Sequence, residues 1–131
     1  MKKILCGVDI GGTKCAIVIA DDKGTIVDKI NTCAHIDYNE EGLVKLVAEQ
    51  IKELIQRNNL KETDVQGIGV GCAGHIRFRD GVIITTSNLK GFKNYPLRDA
   101  MQSYFKIPVV FLVYFHVPSP NTPFSKYKLF P

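Results

Sequence analysis

The chain has 131 residues, of which 45% are hydrophobic and 23% are charged, as expected for one compact domain. This composition excludes a largely disordered, collagen-like or coiled-coil protein, and no apolar stretch approaches the length of a membrane span. The net charge of +4 includes no basic run dense enough to indicate a nucleic acid partner. The excess of Lys and Arg over residues 77–106 is compatible with an anionic ligand or with a solvated surface.

The first elements in the chain are three predicted strands. They cover Ile4–Ile10, Cys15–Ala20 and Thr25–Thr32, each of them mainly apolar or β-branched. A turn at Asp22–Gly24 joins the second strand to the third as a hairpin. The pattern predicts an antiparallel meander at the start of the domain.

A helix is predicted next, over Glu41–Asn58. Apolar residues recur there at three- and four-residue spacing, and Asn39 is suited to be the N-cap. The apolar positions are Leu43, Val44, Val47, Ala48, Ile51, Leu54 and Ile55.

The rest of the domain alternates strands with a second helix. A buried strand is predicted over Val65–Cys72, a short hairpin over Arg77–Thr85, a helix over Leu97–Phe105 and a strand over Ile107–Phe111. This order predicts an α/β domain with a mixed sheet of about five strands and two main helices.

The last segment, residues 111–131, differs in composition from the domain predicted over residues 1–110. It contains no acidic residue and no glycine, and its prolines exclude a helix or a central strand. The prolines are Pro118, Pro120, Pro123 and Pro131, and the aromatic residues are Phe111, Tyr114, Phe115, Phe124, Tyr127 and Phe130.

The cysteines give no sign of a metal site. Cys6, Cys15, Cys33 and Cys72 are widely spaced and form no CxxC pair, so no zinc motif is predicted. Three of them lie in apolar, strand-like stretches, as expected of thiols in a reducing cytoplasm. The first residues do not resemble a signal peptide, because the apolar run is short and is interrupted by Asp9.

The first candidate site is the string DIGGTK at residues 9–14, between two predicted strands. Gly11 and Gly12 permit a tight turn whose backbone N–H groups can face phosphate oxygens. Thr13 adds a hydroxyl and Lys14 a cation, while Asp9 is suited to hold the hydrated Mg²⁺ that accompanies a nucleotide. An ordinary hairpin turn is the alternative. The string is neither a P-loop nor a dinucleotide fingerprint.

Two further segments complete the candidate site. Residues 67–74, GIGVGCAG, alternate glycine with apolar residues, which fits close backbone approach to a ligand or ordinary strand packing. Residues 86–92, TSNLKGF, contain Ser87 and Asn88, whose donors and acceptors suit a polyol, or which cap their own loop.

Together, these three strings and the Ile107-Pro108-Val109 segment resemble the ROK family of sugar kinases and sugar-responsive repressors. The resemblance is strongest to glucokinase-like members and implies the N-terminal lobe of the two-lobed actin/hexokinase fold, which is ribonuclease H-like. It implies that residues 9–14 line the phosphates of ATP with Mg²⁺. It also implies that Gly74, His75, Ser87 and Asn88 contact a hexose, although His75 departs from the residues usual at that position.

One expected residue is missing. The family carries an Asn-Asp pair after its Pro-Val strand, and that Asp removes the proton of the attacking sugar hydroxyl. Here Val110 is followed by Phe111-Leu112-Val113, and the last acidic residue is Asp99, so no catalytic residue is assigned. A truncated or out-of-frame end of a ROK kinase accounts most simply for residues 111–131, and it predicts an Asn-Asp continuation in another reading frame.

Three functions therefore compete. The first is a lobe of an ATP-dependent hexose kinase, inactive alone because it lacks the base and the second lobe. The second is the sugar-sensing lobe of a ROK repressor, disfavoured because the first strand begins at residue 4 and leaves no room for a helix-turn-helix. The third is a non-catalytic fragment, for which self-association through the exposed lobe interface is expected.

Overall fold

The computed structural model describes residues 2–11, 14–33, 39–72, 74–86, 92–114 and 127–129. The strands in these ranges are β1 (Ile4–Ile10), β2 (Lys14–Asp21), β3 (Ile26–Cys33), β4 (Val65–Cys72), β5 (His75–Arg77), β6 (Val82–Thr85), β7 (Val109–Tyr114) and β8 (Tyr127–Leu129). The α-helices are α1 (Glu40–Arg57) and α2 (Leu97–Gln102), and a short 3-10 turn at Glu62–Asp64 precedes β4.

Six strands form one mixed sheet in the order β3-β2-β1-β4-β7-β8. The first three are antiparallel, whereas β4 is parallel to β1 and β7 is parallel to β4. This confirms the predicted meander and the α/β fold. β8 is an addition to the predicted strands, and it pairs antiparallel with β7 at the sheet edge, the place where a proline-rich segment can contribute a strand. β7 runs through the boundary predicted after residue 110.

The hydrophobic core lies on one face of this sheet, against α1 and α2. Side chains alternate along β1, so Cys6, Val8 and Ile10 are buried while Leu5 and Asp9 are exposed. We call the face that carries Leu5 and Asp9 the outer face. Among the described residues, those with no exposed surface are Ile17, Ile19, Ala48, Ile51, Leu54, Ile68, Val70, Ile83, Leu97 and Met101.

Helix α1 agrees with its prediction to within one residue at each end. Asn39 is its N-cap, and the Oδ1 atom of Asn39 accepts a hydrogen bond of 2.7 Å from the N–H of Gly42. Glu40 and Glu41 occupy the first turn and Arg57 the last, so charges of both signs oppose the helix dipole. No helix in the described ranges is both long and apolar enough to cross a membrane.

Replacing Asn39 with alanine is expected to lower the free energy of unfolding by about 1 kcal/mol, because the N–H of Gly42 loses its acceptor. The measurement is urea denaturation followed by circular dichroism at 222 nm. Lys45→Ala is the matched control, since Lys45 lies exposed on the same helix and alanine favours helix there. Equal losses in the two variants would contradict the capping role.

Helix α2 ends at Gln102 instead of at the predicted Phe105. The side chain of Gln102 explains the early end. Its Nε2 atom donates to the carbonyls of Phe105 and Ile107 at 2.8 and 2.7 Å, and its Oε1 atom accepts from the N–H of Val109 at 3.0 Å. The chain therefore turns around this amide directly into β7.

Candidate functional site

The turn after β1 brings together three of the residues predicted to bind a nucleotide. Asp9 is exposed on the outer face, opposite Ala16 of β2 and Gly71 of β4. The N–H of Gly11 donates to the carbonyl of Lys14 at 2.9 Å, which closes the turn. A Cβ atom on Gly11 would lie 3.0 Å from that same carbonyl oxygen, so the tight turn favours glycine. Gly12 and Thr13 lie outside the described residues.

Lys14 is the first residue of β2 and is exposed. Its ammonium therefore extends from the same turn as the Asp9 carboxylate, at the carboxyl end of β1. Because β1 and β4 are adjacent and parallel, this turn lies at the edge of the sheet where ligands bind in α/β folds.

Beside Asp9, the residues of β4 on the outer face are glycines, which have no side chain. Gly7 lies opposite Gly69, and Asp9 lies opposite Gly71. No β4 side chain therefore stands next to the Asp9 carboxylate on this face. The alternation seen in residues 67–74 thus serves two purposes, since Ile68 and Val70 fill the core while Gly67 and Gly69 stay partly exposed on the outer face.

The second turn of the site follows β4 and contains Gly74, which has a φ of +144°. A Cβ atom on Gly74 would lie 2.6 Å from the carbonyl oxygen of Thr85 and 2.9 Å from Cγ2 of Thr86. The next residue, His75, is exposed and pairs with Thr85 across the β5–β6 hairpin. In the sequence, Thr86 directly precedes Ser87 and Asn88, which lie outside the described residues. Two of the predicted sugar contacts, Gly74 and His75, therefore lie beside Thr85 and Thr86, the residues that lead to the other two.

The chain around this segment is held on both sides. Before it, Ile83 is fully buried and exchanges two backbone hydrogen bonds with Tyr95, of 2.8 and 2.9 Å. After it, Phe92 is buried and packs edge-on against the Tyr95 ring at 5.3 Å between centroids. The roles of Thr86 and Tyr95 were not apparent from the sequence, because they depend on contacts between distant residues.

The predicted hairpin is confirmed with Asp80-Gly81 in its turn, although its first strand begins at His75 instead of at Arg77. Arg77 Nη2 contacts Asp80 Oδ2 at 2.8 Å across the turn. Gly81 has a φ of +68°, a left-handed conformation that glycine adopts without steric cost.

Two cysteines border the Asp9 turn, of which Cys15 is buried and Cys72 is half-buried. Cys15 and Cys72 lie opposite Ile10 on its two sides. Burial raises the pKa of Cys15 to about 11, with a further contribution from the Asp9 carboxylate. Burial raises the pKa of Cys72 to about 12, with contributions from Cys15 and Asp9. Both residues are neutral thiols at pH 7, so the carboxylate of Asp9 is the anionic group of this turn.

Metal ligands are sparse at this edge. No group of three or more His, Cys, Asp and Glu side chains among the described residues is arranged to hold a metal ion. A hydrated Mg²⁺ bound to nucleotide phosphates needs only one or two carboxylates from the protein, and Asp9 is one such group.

The fold is that of an N-terminal lobe of the actin/hexokinase type. The chain belongs to the ROK family, whose model matches residues 5–113. It is 28% identical over 104 residues to a glucokinase from Halalkalibacterium halodurans, a match that covers 79% of this chain and 31% of the relative.

Two solved structures share the fold. A ROK family glucokinase from Streptomyces griseus in complex with glucose and AMPPNP matches with a TM-score of 0.70 and 25% identity, over 85% of this chain and 32% of that one. A ROK family transcriptional regulator, homologous to the E. coli MLC protein, matches with a TM-score of 0.73 and 15% identity, over 85% of this chain and 28% of that one. The chain thus spans about a third of the length of these relatives.

Proposed function

We propose that this chain is the N-terminal lobe of an ATP-dependent ROK sugar kinase. The observation that carries the proposal is the placement of two turns at one sheet edge. The Gly11 turn follows β1 and the Gly74 turn follows β4, and these strands are parallel neighbours. A phosphate donor bound at the first turn would therefore lie beside a sugar bound at the second.

The Gly11 turn would bind the phosphates of ATP. The N–H of Gly11 already donates to the carbonyl of Lys14, so the backbone N–H groups that follow it would be the ones to bind phosphate oxygens. The Lys14 ammonium and the Thr13 hydroxyl are the side-chain groups proposed to assist them. Asp9 fits a hydrated Mg²⁺, because its carboxylate is exposed and the neighbouring thiols are neutral. When bound, that ion would neutralise phosphate charge.

The Gly74 turn would contribute to a hexose site. His75 is exposed directly after it, as the first residue of β5. In the sequence, Thr86 is followed by Ser87 and Asn88, whose side chains can donate hydrogen bonds to sugar hydroxyls and accept hydrogen bonds from them. The glucose of the S. griseus complex supports an aldohexose as the substrate class.

The chain on its own would not catalyse phosphoryl transfer. The attacking hydroxyl must lose its proton, and no acidic residue follows Asp99. A single lobe also cannot close over its ligand to exclude water. We therefore infer that residues 1–110 are the kinase lobe and that residues 111–131 are an atypical segment without the catalytic acidic residue.

The test of phosphate binding is a titration of ¹⁵N-labelled protein with Mg·AMPPNP, followed by NMR. We expect chemical shift changes at the Gly11 turn and the carboxyl end of β4, with at least about tenfold weaker binding in Asp9→Ala, because the carboxylate that would accompany Mg²⁺ is lost. Asp22→Ala is the matched control, since Asp22 is exposed in the β2–β3 turn at the opposite end of the sheet.

A coupled assay for ADP release tests the inactivity. We expect no glucose-dependent ADP release above background. Glucose-dependent turnover that is abolished by Asp9→Ala would contradict the proposed inactivity but would agree with the proposed phosphate site. Absence of any shift at the Gly11 turn in the titration would contradict the phosphate site itself.

The second candidate is the sugar-sensing lobe of a ROK repressor, and the fold match to the MLC homologue favours it. The same titration separates the two functions. Shifts with glucose alone, with none on adding Mg·AMPPNP, would support the repressor lobe.

The proposed kinase lobe carries two further expectations. A cytoplasmic location suits an ATP-dependent kinase with neutral, buried thiols.

Self-association through the surface that would face a second lobe is expected, and size-exclusion chromatography with light scattering would contradict it by showing a monomer at all concentrations.

A further inference from the structure

Strand β3 ends the large sheet on the side away from β7. It is eight residues long and contains neither proline nor glycine. Ile26 and Val27 at its start are 41% and 47% exposed. A long edge strand rich in β-branched residues offers backbone N–H and C=O groups to any further strand.

At the middle of this edge strand, the backbone N–H and C=O groups of Lys29 are hydrogen-bonded to side chains. The N–H of Lys29 donates to Asp28 Oδ1 at 2.8 Å. The carbonyl of Lys29 accepts from Arg57 Nη2 at 3.1 Å. Neither group of Lys29 is therefore left for an incoming strand.

The end of α1 holds these side chains in place. Arg57 donates to both oxygens of Asp28, from Nε at 2.7 Å and from Nη2 at 2.8 Å. Asn58 Nδ2 adds a bond of 2.8 Å to Asp28 Oδ2 and another of 2.8 Å to the carbonyl of Leu54. A two-point contact between a guanidinium and a carboxylate fixes orientation as well as distance.

The Asp28 carboxylate stays charged over a wide pH range. Hydrogen bonds from Arg57 and then Asn58 hold its pKa well below the ordinary value of 3.8. A lowered pKa in the folded state means that the cluster stabilises the fold fully above the ordinary carboxyl range, and that this stabilisation is lost progressively as the pH falls from that range through the folded pKa.

We propose that the Asp28–Arg57 pair blocks the β3 edge against strand addition by β3 of a second copy of this chain. A second copy is the occupant to which the edge is most exposed, because it presents the same extended strand and can pair with it about a two-fold axis. With the pair intact, such a strand meets the guanidinium and finds both Lys29 groups engaged. Without the pair, the Lys29 carbonyl loses the Arg57 donor, and the Asp28 side chain that accepts from the Lys29 N–H is no longer held in place by the guanidinium.

The test is Arg57→Met, which removes the guanidinium and keeps an unbranched side chain. Sedimentation velocity is expected to show self-association at a concentration about tenfold or more below that of the unsubstituted chain, since each copy regains at least one backbone hydrogen bond across the new contact. Asp28→Asn, which keeps an acceptor but loses the ion pair, is expected to change association in the same direction. No change in either variant would overturn the proposal.

A second substitution locates the contact. Adding Lys29→Pro to Arg57→Met removes an N–H at the sheet edge, where proline is tolerated. Association is then expected to return to the level of the unsubstituted chain. Association that persists in the double variant would place the contact elsewhere and overturn the proposal.

Glu53→Gln is the matched control for charge. Glu53 lies 3.7 Å from Arg57 Nη1 and is 60% exposed, and its loss leaves the bonds to Asp28 and Lys29 intact. Its association is expected to equal that of the unsubstituted chain. An increase as large as that of Arg57→Met would show that net charge, not the covered edge, controls association.

Discussion

Gly74→Ala is expected to lower the free energy of unfolding by about 3 kcal/mol or more, the range of strained backbone positions with an added steric clash. The backbone at Gly74 has a φ of +144°, a conformation that residues with a side chain rarely adopt. The new methyl group would also lie 2.6 Å from the carbonyl oxygen of Thr85. Relief of this contact requires movement of β6 relative to the end of β4.

The matched control for this substitution is Gly24→Ala. Gly24 also has a positive φ, +84°, but no atom lies within 4 Å of a Cβ placed on it. The loss in free energy of unfolding for Gly24→Ala is therefore expected to come only from the unfavourable backbone conformation, about 1–2 kcal/mol. Urea denaturation of both variants measures the difference, and NMR shifts of Thr85 and Thr86 report the local movement. Equal losses would show that the contact with Thr85 carries no steric cost.

The strands and helix with regular apolar patterns were predictable from the sequence. The bounds of β1 and β4 match the predictions, and α1 differs by one residue at each end. In these elements, the same side chains that set the pattern also form the core, so local and tertiary preferences agree.

Elements that depend on remote contacts were less predictable. Helix α2 stops early because the Gln102 side chain binds carbonyls beyond the helix end, and no local pattern reports such a bond. Strand β8 is three residues long and exists through its pairing with β7. A proline-rich composition excludes a central strand but does not indicate a short edge strand.

The sequence motifs of the candidate site were recognisable from the sequence, but their positions relative to one another in the fold were not. The DIGGTK string indicated a turn, and the structure places Asp9, Gly11 and Lys14 together there. The contact of Gly74 with Thr86 joins the other two strings, and it depends on the strand that returns after the β5–β6 hairpin. The binding roles of all the site residues stay predictions, and Gly12, Thr13, Ser87 and Asn88 also lie outside the described residues.

The sequence also gave no sign that two cysteines border the proposed phosphate turn. Apolar surroundings predicted buried thiols, and Cys15 is buried whereas Cys72 is half-buried. Their distance from Asp9 follows from strand register, which places Cys15 and Cys72 on either side of Ile10. Register across three strands is a tertiary property that composition does not encode.

Gln102→Met is expected to lower the free energy of unfolding by about 2–3 kcal/mol, because two carbonyls and one amide N–H lose their partner in a half-buried place. The amide at risk belongs to Val109, the first residue of β7, which lies opposite Ile68. The carbonyl of Pro108 accepts from the N–H of Ile68 at 2.9 Å, so the same turn sets the register of β7 on β4. The measurement is urea denaturation, with Gln66→Met as the control, since Gln66 is exposed and makes one bond of 3.4 Å.

Gln102→Glu separates the hydrogen bonds of this side chain from its packing. At pH 7, the new carboxylate can still accept from Val109 but has no hydrogen for the carbonyls of Phe105 and Ile107, and its charge faces both oxygens. Its pKa is therefore raised in the folded state above the ordinary value of about 4.3, so the loss of stability is largest above the folded pKa and shrinks as the pH falls through it. Unfolding at pH 7 and pH 4 measures this change, and a loss that does not depend on pH would show that Gln102 acts by packing and not through its bonds to the turn that begins β7.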